Sequence, residues 1–210
     1  MEEKKYILNE SVKKLAIVGA SGHGRVAADI ARLNGYKDIV FLDDDLSIKK
    51  CGGYDVVGDT SLKLERDYFI GIGNSHIRER LQKLHGDRIV TLIHPDAVIG
   101  ENVVIGNGSA VMAGTVINPG AIIGEGCIIN TCSSVDHDCN IGDFVHVSVG
   151  AHIAGTVNIG SHVWIGAGAT VSNNININAP EDIIIGAGCV VVKDIACSGT
   201  YVGVPAKKIR

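Results

Sequence analysis

From Ile93 onward the chain returns to Ile or Val at every sixth position without a gap: Ile93, Ile99, Ile105, Val111, Ile117, Ile123 and on to Ile177. The position four further along is small or β-branched, as at Ala97, Thr115, Ala121, Cys127, Cys139 and Ala151, and the second position is often Gly. A period held this long predicts a parallel β-helix, in which each hexad supplies one short strand and one turn. The register slips once, where Asn178-Ala179-Pro180-Glu181-Asp182 carries two extra residues before Ile185, which predicts a small bulge in the last coil.

Before Ile93 the pattern is different. The apolar run Leu15 to Gly19 ends in Gly19-Ala20-Ser21-Gly22-His23-Gly24, and a helical period follows with Val26, Ala27, Ile30 and Leu33 on one face before Asn34-Gly35. A second strand over 38–42 delivers Asp43-Asp44-Asp45, and a third over 68–72 enters Gly71-Ile72-Gly73-Asn74. Asn74 or Ser75 can cap a helix over 75–84, with a further strand over 88–93. Strands alternating with helices predict a parallel sheet whose ligands lie beyond the carboxyl ends of the strands. The glycine turn could offer backbone N–H groups to a phosphate, and the acidic cluster could accept from a ribose or a base. The spacing is GxxGxG rather than GxGxxG, and about 80 residues are too few for a dinucleotide fold. A mononucleotide such as UDP suits the size better than NAD. Tight strand-to-helix turns alone would also account for the glycines.

Composition fits this division. The chain of 210 residues holds 27 Gly and only 4% aromatic residues, as a narrow prism lined by Ile and Val requires. A net charge of −4 with no basic stripe points away from nucleic acid. No uncharged run is long enough for membrane insertion, and the start MEEKKYILNESVKK lacks the apolar core of a signal peptide, so a cytoplasmic location is expected. The six Cys form no CxxC pair, which disfavours a disulfide framework or a zinc site; reduced, mostly buried thiols are expected.

The polar outliers within the repeat cluster between Val135 and His146. His137 beside the carboxylate of Asp138 has the makings of a base and its orienter. His146, nine residues on, falls on another side of the coil. His85, His152 and His162 read as ordinary solvated histidines.

These stretches, together with Ile93-His94-Pro95, Phe144-Val145-His146-Val147-Ser148 and the terminal Val202-Gly203-Val204-Pro205-Ala206-Lys207, resemble the bacterial sugar acyltransferases of the left-handed β-helix superfamily. The resemblance is closest to the UDP-4-amino-sugar N-acetyltransferases of the bacillosamine pathway and their sialic-acid O-acetyltransferase relatives. It implies a Rossmann-like nucleotide-sugar domain over 1–92 and a left-handed β-helix over 93–210 that binds acetyl-CoA and carries catalysis. It implies His137 as general base and Asp138, where the family commonly has Glu, as the acid that raises its basicity. His146 would meet the thioester region of acetyl-CoA, with backbone near Gly155, Ala167 and Ala187 along the pantetheine arm. Ser21, Gly22, His23, Asp43, Asp44 and Gly73 would hold the nucleotide of a UDP-linked amino sugar. The family is a homotrimer with acetyl-CoA between subunits, and its chemistry needs no metal. The alternatives are a sialic-acid O-acetyltransferase and a non-catalytic trimeric scaffold.

Overall fold

The computed structural model describes residues 12–210. The start of the chain, read above as lacking a signal peptide, lies outside the described residues through position 11. The repeat folds as a left-handed parallel β-helix. Its strands are mostly two residues long, and the second residue of each is the predicted Ile or Val: Val98–Ile99, Val116–Ile117 and Ser134–Val135 stack in register eighteen residues apart. Three faces result. The first runs through Leu92–Ile93, Ala110–Val111, Ile128–Ile129, His146–Val147 and Trp164–Ile165. The second begins at Val98–Ile99 and the third at Val104–Ile105.

Inward residues of the middle coils are sealed, with Ile117, Ile129, Val135 and Val147 all 0% exposed. The small position has a second use. Side chains there donate to a corner carbonyl fifteen residues on: Ser109 Oγ to Gly124 O at 2.9 Å, Thr115 Oγ1 to Asn130 O at 3.0 Å, and the thiols of Cys127 and Cys139 to Gly142 O and Ala154 O at 3.1 Å. Cys, Ser and Thr are thus small donors that satisfy turn carbonyls which would otherwise be buried without partners. Four of the six thiols are buried and all six are free; Cys132 and Cys197 are exposed.

The register slip is real. The regular coil of eighteen residues gives way to one of twenty, since Ile165 pairs with Ile185 whereas Val147 pairs with Ile165.

The N-terminal unit is a five-stranded sheet of β1 (Lys14–Val18), β2 (Asp38–Leu42), β3 (Lys50–Cys51), β4 (Tyr54–Gly58) and β5 (Asp67–Ile70), with α1 (Gly22–Leu33) after β1 and α2 (Ser75–His85) after β5. The order is β3-β4-β2-β1-β5, parallel except for β3 against β4. The β3–β4 hairpin went unpredicted. The expected strand over 88–93 is not one strand: Gly86–Arg88 form a 3-10 turn, Ile89 makes a single bridge to Tyr68, and Leu92–Ile93 already belong to the β-helix. The chain must turn from one sheet to another within six residues, and a continuous strand could not do so.

On α1 the buried face is Gly24, Ala27, Ala28, Ile30 and Ala31, while Val26 and Leu33 are each 44% exposed. The helix packs so close to the sheet that small residues take the inner positions. A Cβ on Gly24 would strike the Gly19 carbonyl oxygen, and one on Gly71 would sit 3.0 Å from Gly24 Cα. The unit docks on the first face of the β-helix, where outward Leu92, Ala110 and Ile128 join Leu15, Ile17 and Ala27 in one apolar cluster.

Candidate active site

The expected nucleotide edge forms at the carboxyl ends of β1, β2 and β5. Ser21 caps α1, its Oγ accepting from Gly24 N at 3.4 Å, and Gly22 opens the helix. Asp43 and Asp44 have backbone partners: Asp43 Oδ2 accepts from Ala20 N at 2.7 Å, and Asp44 Oδ1 accepts from Thr60 N at 3.0 Å. Asp43 therefore clamps the glycine turn itself. Asn74, not Ser75, caps α2, accepting from Ile77 N at 3.0 Å.

Where this edge meets the β-helix there is a cleft of about 410 Å³, lined by Gly73, Asn74, Ser75, Phe144, His146 and Trp164 among others. Two of the expected binding residues, Gly73 and His146, thus share one wall-to-wall space. His146 lies parallel to the Trp164 indole, 5.9 Å between centroids, and its Nε2 faces Asn130 Nδ2 at 3.2 Å. Burial, and then the charge of Arg78, push its pKa down to about 4. The ring is neutral at physiological pH, with Nε2 accepting from the Asn130 amide and the proton on Nδ1. His23 is also pushed down to about 4 for the same two reasons, and its buried Nε2 has no partner.

Arg78 was not read from the sequence. It is completely buried, and its guanidinium donates to Gly126 O at 2.6 Å, Phe144 O at 2.8 Å, and both Ile72 O and Gly73 O at 2.9 Å. One side chain thereby ties the Gly71–Asn74 loop to two successive corners of the β-helix. Burial lowers its pKa to about 10, so it keeps its charge. The available signal was the inward column Arg78, Leu81, Gln82 and His85 on α2, with polar residues where a helix buries its face. His85 is accordingly not solvated: it is buried, stacks on Tyr68 at 4.1 Å and bonds Thr60 O at 2.9 Å. His162 is half-buried and stacked between His76 and Phe144. His152 does lie at the surface, 2.9 Å from Ser134 Oγ.

His137 is elsewhere. It sits on the corner between the second and third faces, half a coil from His146 and away from the face that carries the N-terminal unit. His137 Nδ1 lies 2.9 Å from Asp138 Oδ2, and both side chains are open to solvent. Asp138 takes a left-handed backbone, φ 56°, one of the series that recurs at the corners and that Asp tolerates better than most residues. The short carboxylate reaches the ring. The hydrogen bond with Asp138, then the charge of Asp136, raise the His137 pKa. Asp136 is a further member that sequence reading passed over: its Oδ1 accepts from His137 N at 2.8 Å and from Asn118 Nδ2 at 2.7 Å, fixing the corner. Gly155 lies one coil below, and a Cβ there would stand 2.5 Å from His137 Nε2. Only glycine leaves that nitrogen its place. Ala167 and Ala187 are stacked on the remaining corner, exposed and joined by the bond from Gly188 N to Ala167 O at 2.8 Å. The residues named from sequence therefore fall into three groups within one chain: the cleft, the His137 corner and the alanine corner.

The chain thus carries an oriented, exposed imidazole on a β-helix joined to a glycine-edged parallel sheet. Residues 14–84 match the family described as the PglD N-terminal domain. The chain is 33% identical to GDP-perosamine N-acetyltransferase of Escherichia coli O157:H7 over 154 residues, covering 67% of this chain and 70% of that protein. It is 35% identical over 115 residues to UDP-N-acetylbacillosamine N-acetyltransferase of Bacillus subtilis, covering 49% of this chain and 52% of that one. The structure of the acetyltransferase domain of PglB from Neisseria gonorrhoeae, in complex with acetyl coenzyme A, superposes with a TM-score of 0.87 at 40% identity, covering 94% of this chain and all of that one. This chain belongs to the sugar N-acetyltransferases of the hexapeptide-repeat β-helix family. Among the described residues, no helix is long and apolar enough to cross a membrane.

Proposed function

We propose that the protein transfers acetyl from acetyl-CoA to the 4-amino group of a UDP-linked amino sugar, with His137 as general base. The observation that carries this reading is the His137–Asp138 pair, with Nδ1 held at 2.9 Å and Nε2 turned to Gly155. The acceptor ammonium first loses a proton to water, and the amine then attacks the thioester carbonyl while His137 Nε2 takes the second proton. A backbone N–H near Gly155 is the proposed donor to the oxyanion. As the tetrahedral adduct collapses, the carbon–sulfur bond breaks and His137 returns its proton to the departing thiolate. Asp138 holds the Nδ1 proton throughout and steadies the imidazolium.

The cleft and the His137 corner face away from each other in one chain, so a neighbouring copy must supply the missing half; a homotrimer with acetyl-CoA between β-helices meets that need. The alanine corner suits an extended pantetheine arm. Gly168 and Gly188, both at positive φ, have no other side chain among the described residues within 4 Å of where a Cβ would stand.

A thiol-release assay with acetyl-CoA against UDP-4-amino sugars, GDP-4-amino sugars and sialic acid tests the assignment. Release only with the UDP-linked amine is expected, together with thermal protection by UDP. The kinship with the GDP-perosamine enzyme favours a second reading, a GDP-linked acceptor, and protection by GDP alone would establish that one instead.

A further inference from the structure

The two residues by which one coil exceeds the others bring Asp182 to the edge of the cleft that also holds Gly73 and His146. They carry Asp182 out from the β-helix to meet α2, where its Oδ1 and Oδ2 lie 2.9 and 3.1 Å from His76 Nε2. Glu79, one helical turn beyond His76, places Oε2 3.5 Å from His162 Nε2. The two imidazoles stack with centroids 4.3 Å apart and planes 17° apart. One ligand atom from each of His76, Glu79 and His162 falls within 4.8 Å of the others, and Asp182 reaches this cluster through His76 alone.

We propose that His76, Glu79, His162 and Asp182 form a binding site for a divalent transition-metal ion of the zinc class. Two imidazole nitrogens with two carboxylate oxygens are the donors such an ion takes, whereas Mg²⁺ and Ca²⁺ favour oxygen throughout. Ligand bonds of about 2.0–2.2 Å in a tetrahedron need donor atoms roughly 3.3 Å apart, so the side chains must close by up to about 1.5 Å and the stacked rings must turn until both nitrogens point at one ion. His76 and Asp182 are both half exposed and free to do so. The Lys83 ammonium bonds Glu79 Oε1 and leaves Oε2 facing His162.

The site joins three parts of the chain: α2 of the N-terminal unit, a β-helix corner and the inserted residues. It borders a depression of about 670 Å³ that also takes in Ser161, Pro180 and Arg210, through which an ion could enter. The insertion thereby gains a purpose, since an eighteen-residue coil has no residue to offer at the place of Asp182.

The test uses the full chain without an affinity tag, stripped with chelator and titrated with Co²⁺. One ion per chain is expected, with the visible bands of tetrahedral nitrogen and oxygen ligation, displaced by Zn²⁺, and a Zn²⁺-dependent rise in Tm. His76→Asn and Asp182→Asn change exposed side chains and leave the core intact; each should weaken Co²⁺ binding at least tenfold. The proposal is overturned if no Co²⁺ spectrum appears, if the bands show thiolate charge transfer from Cys132 or Cys197, or if both variants bind as the parent does. In each of those cases the four side chains are two ordinary imidazole–carboxylate pairs.

Discussion

The corner at His137 and the junction around Arg78 use the same side chain in opposite ways. At the corner the imidazole is exposed and leans on a carboxylate, and its pKa rises; at the junction His23 and His146 are enclosed beside a buried guanidinium and are pushed down to about 4. The corner ring is held by its carboxylates in readiness to take up a proton. The junction rings are fixed in the neutral form and are weak bases. Environment, rather than residue type, divides the labour.

Removing the corner base is the strongest way to break this contrast. His137→Ala should lower kcat by about 10²-fold or more with the fold retained, and His146→Ala should chiefly raise KM; equal kcat losses in both would erase the distinction. Next in size, Arg78→Met should cost about 3 kcal/mol in urea unfolding, because four carbonyls lose their donor in a buried place. The same variant should let the His146 pKa climb, which NMR titration of the ring would show. Gly155→Ala should reduce kcat by roughly 10²-fold, since the new methyl must push His137 Nε2 aside. The backbone there needs no positive φ, so Tm should barely move, and a normal kcat would mean that the ring position is not critical.

Asp138→Asn should lower kcat by about tenfold. It should also shift the acid limb of the kcat/KM profile to lower pH, because loss of the carboxylate removes the first cause of the raised pKa. The smallest effect is on stability. His23 and His146 have folded pKa values below the ordinary 6.5, so as pH falls the unfolded chain takes up protons first. Their contribution is fully present above about 6.5 and is lost between there and about 4. Tm should fall across that window, and His146→Asn should flatten the slope.

The β-helix was legible because one rule covers it. Each predicted hexad position became the inward residue of a strand, and even the slip at 178–182 fell where the coil lengthens to twenty residues. The N-terminal unit was legible in its alternation but not in its details. Val26 and Leu33 satisfied a helical period and still face outward, because the close approach at Gly24 turned the alanines inward. Likewise His137 and Asp138 announced themselves as polar residues in an apolar repeat, whereas Arg78 looked like any charge on a surface helix. Asp136 and Asn118 are eighteen residues apart and become partners only once a coil has closed.

The sequence alone determined the β-helix, the glycine-edged sheet and the adjacent His–Asp pair, since each depends on neighbours in the chain or on a short fixed period. Tertiary structure decided the rest. It alone buried Arg78 between two domains, made His23 and His146 neutral, set Gly155 against His137 and drew Asp182 to His76. Those outcomes rest on desolvation and on contacts between residues up to 106 positions apart, and neither leaves a local signature in the order of amino acids.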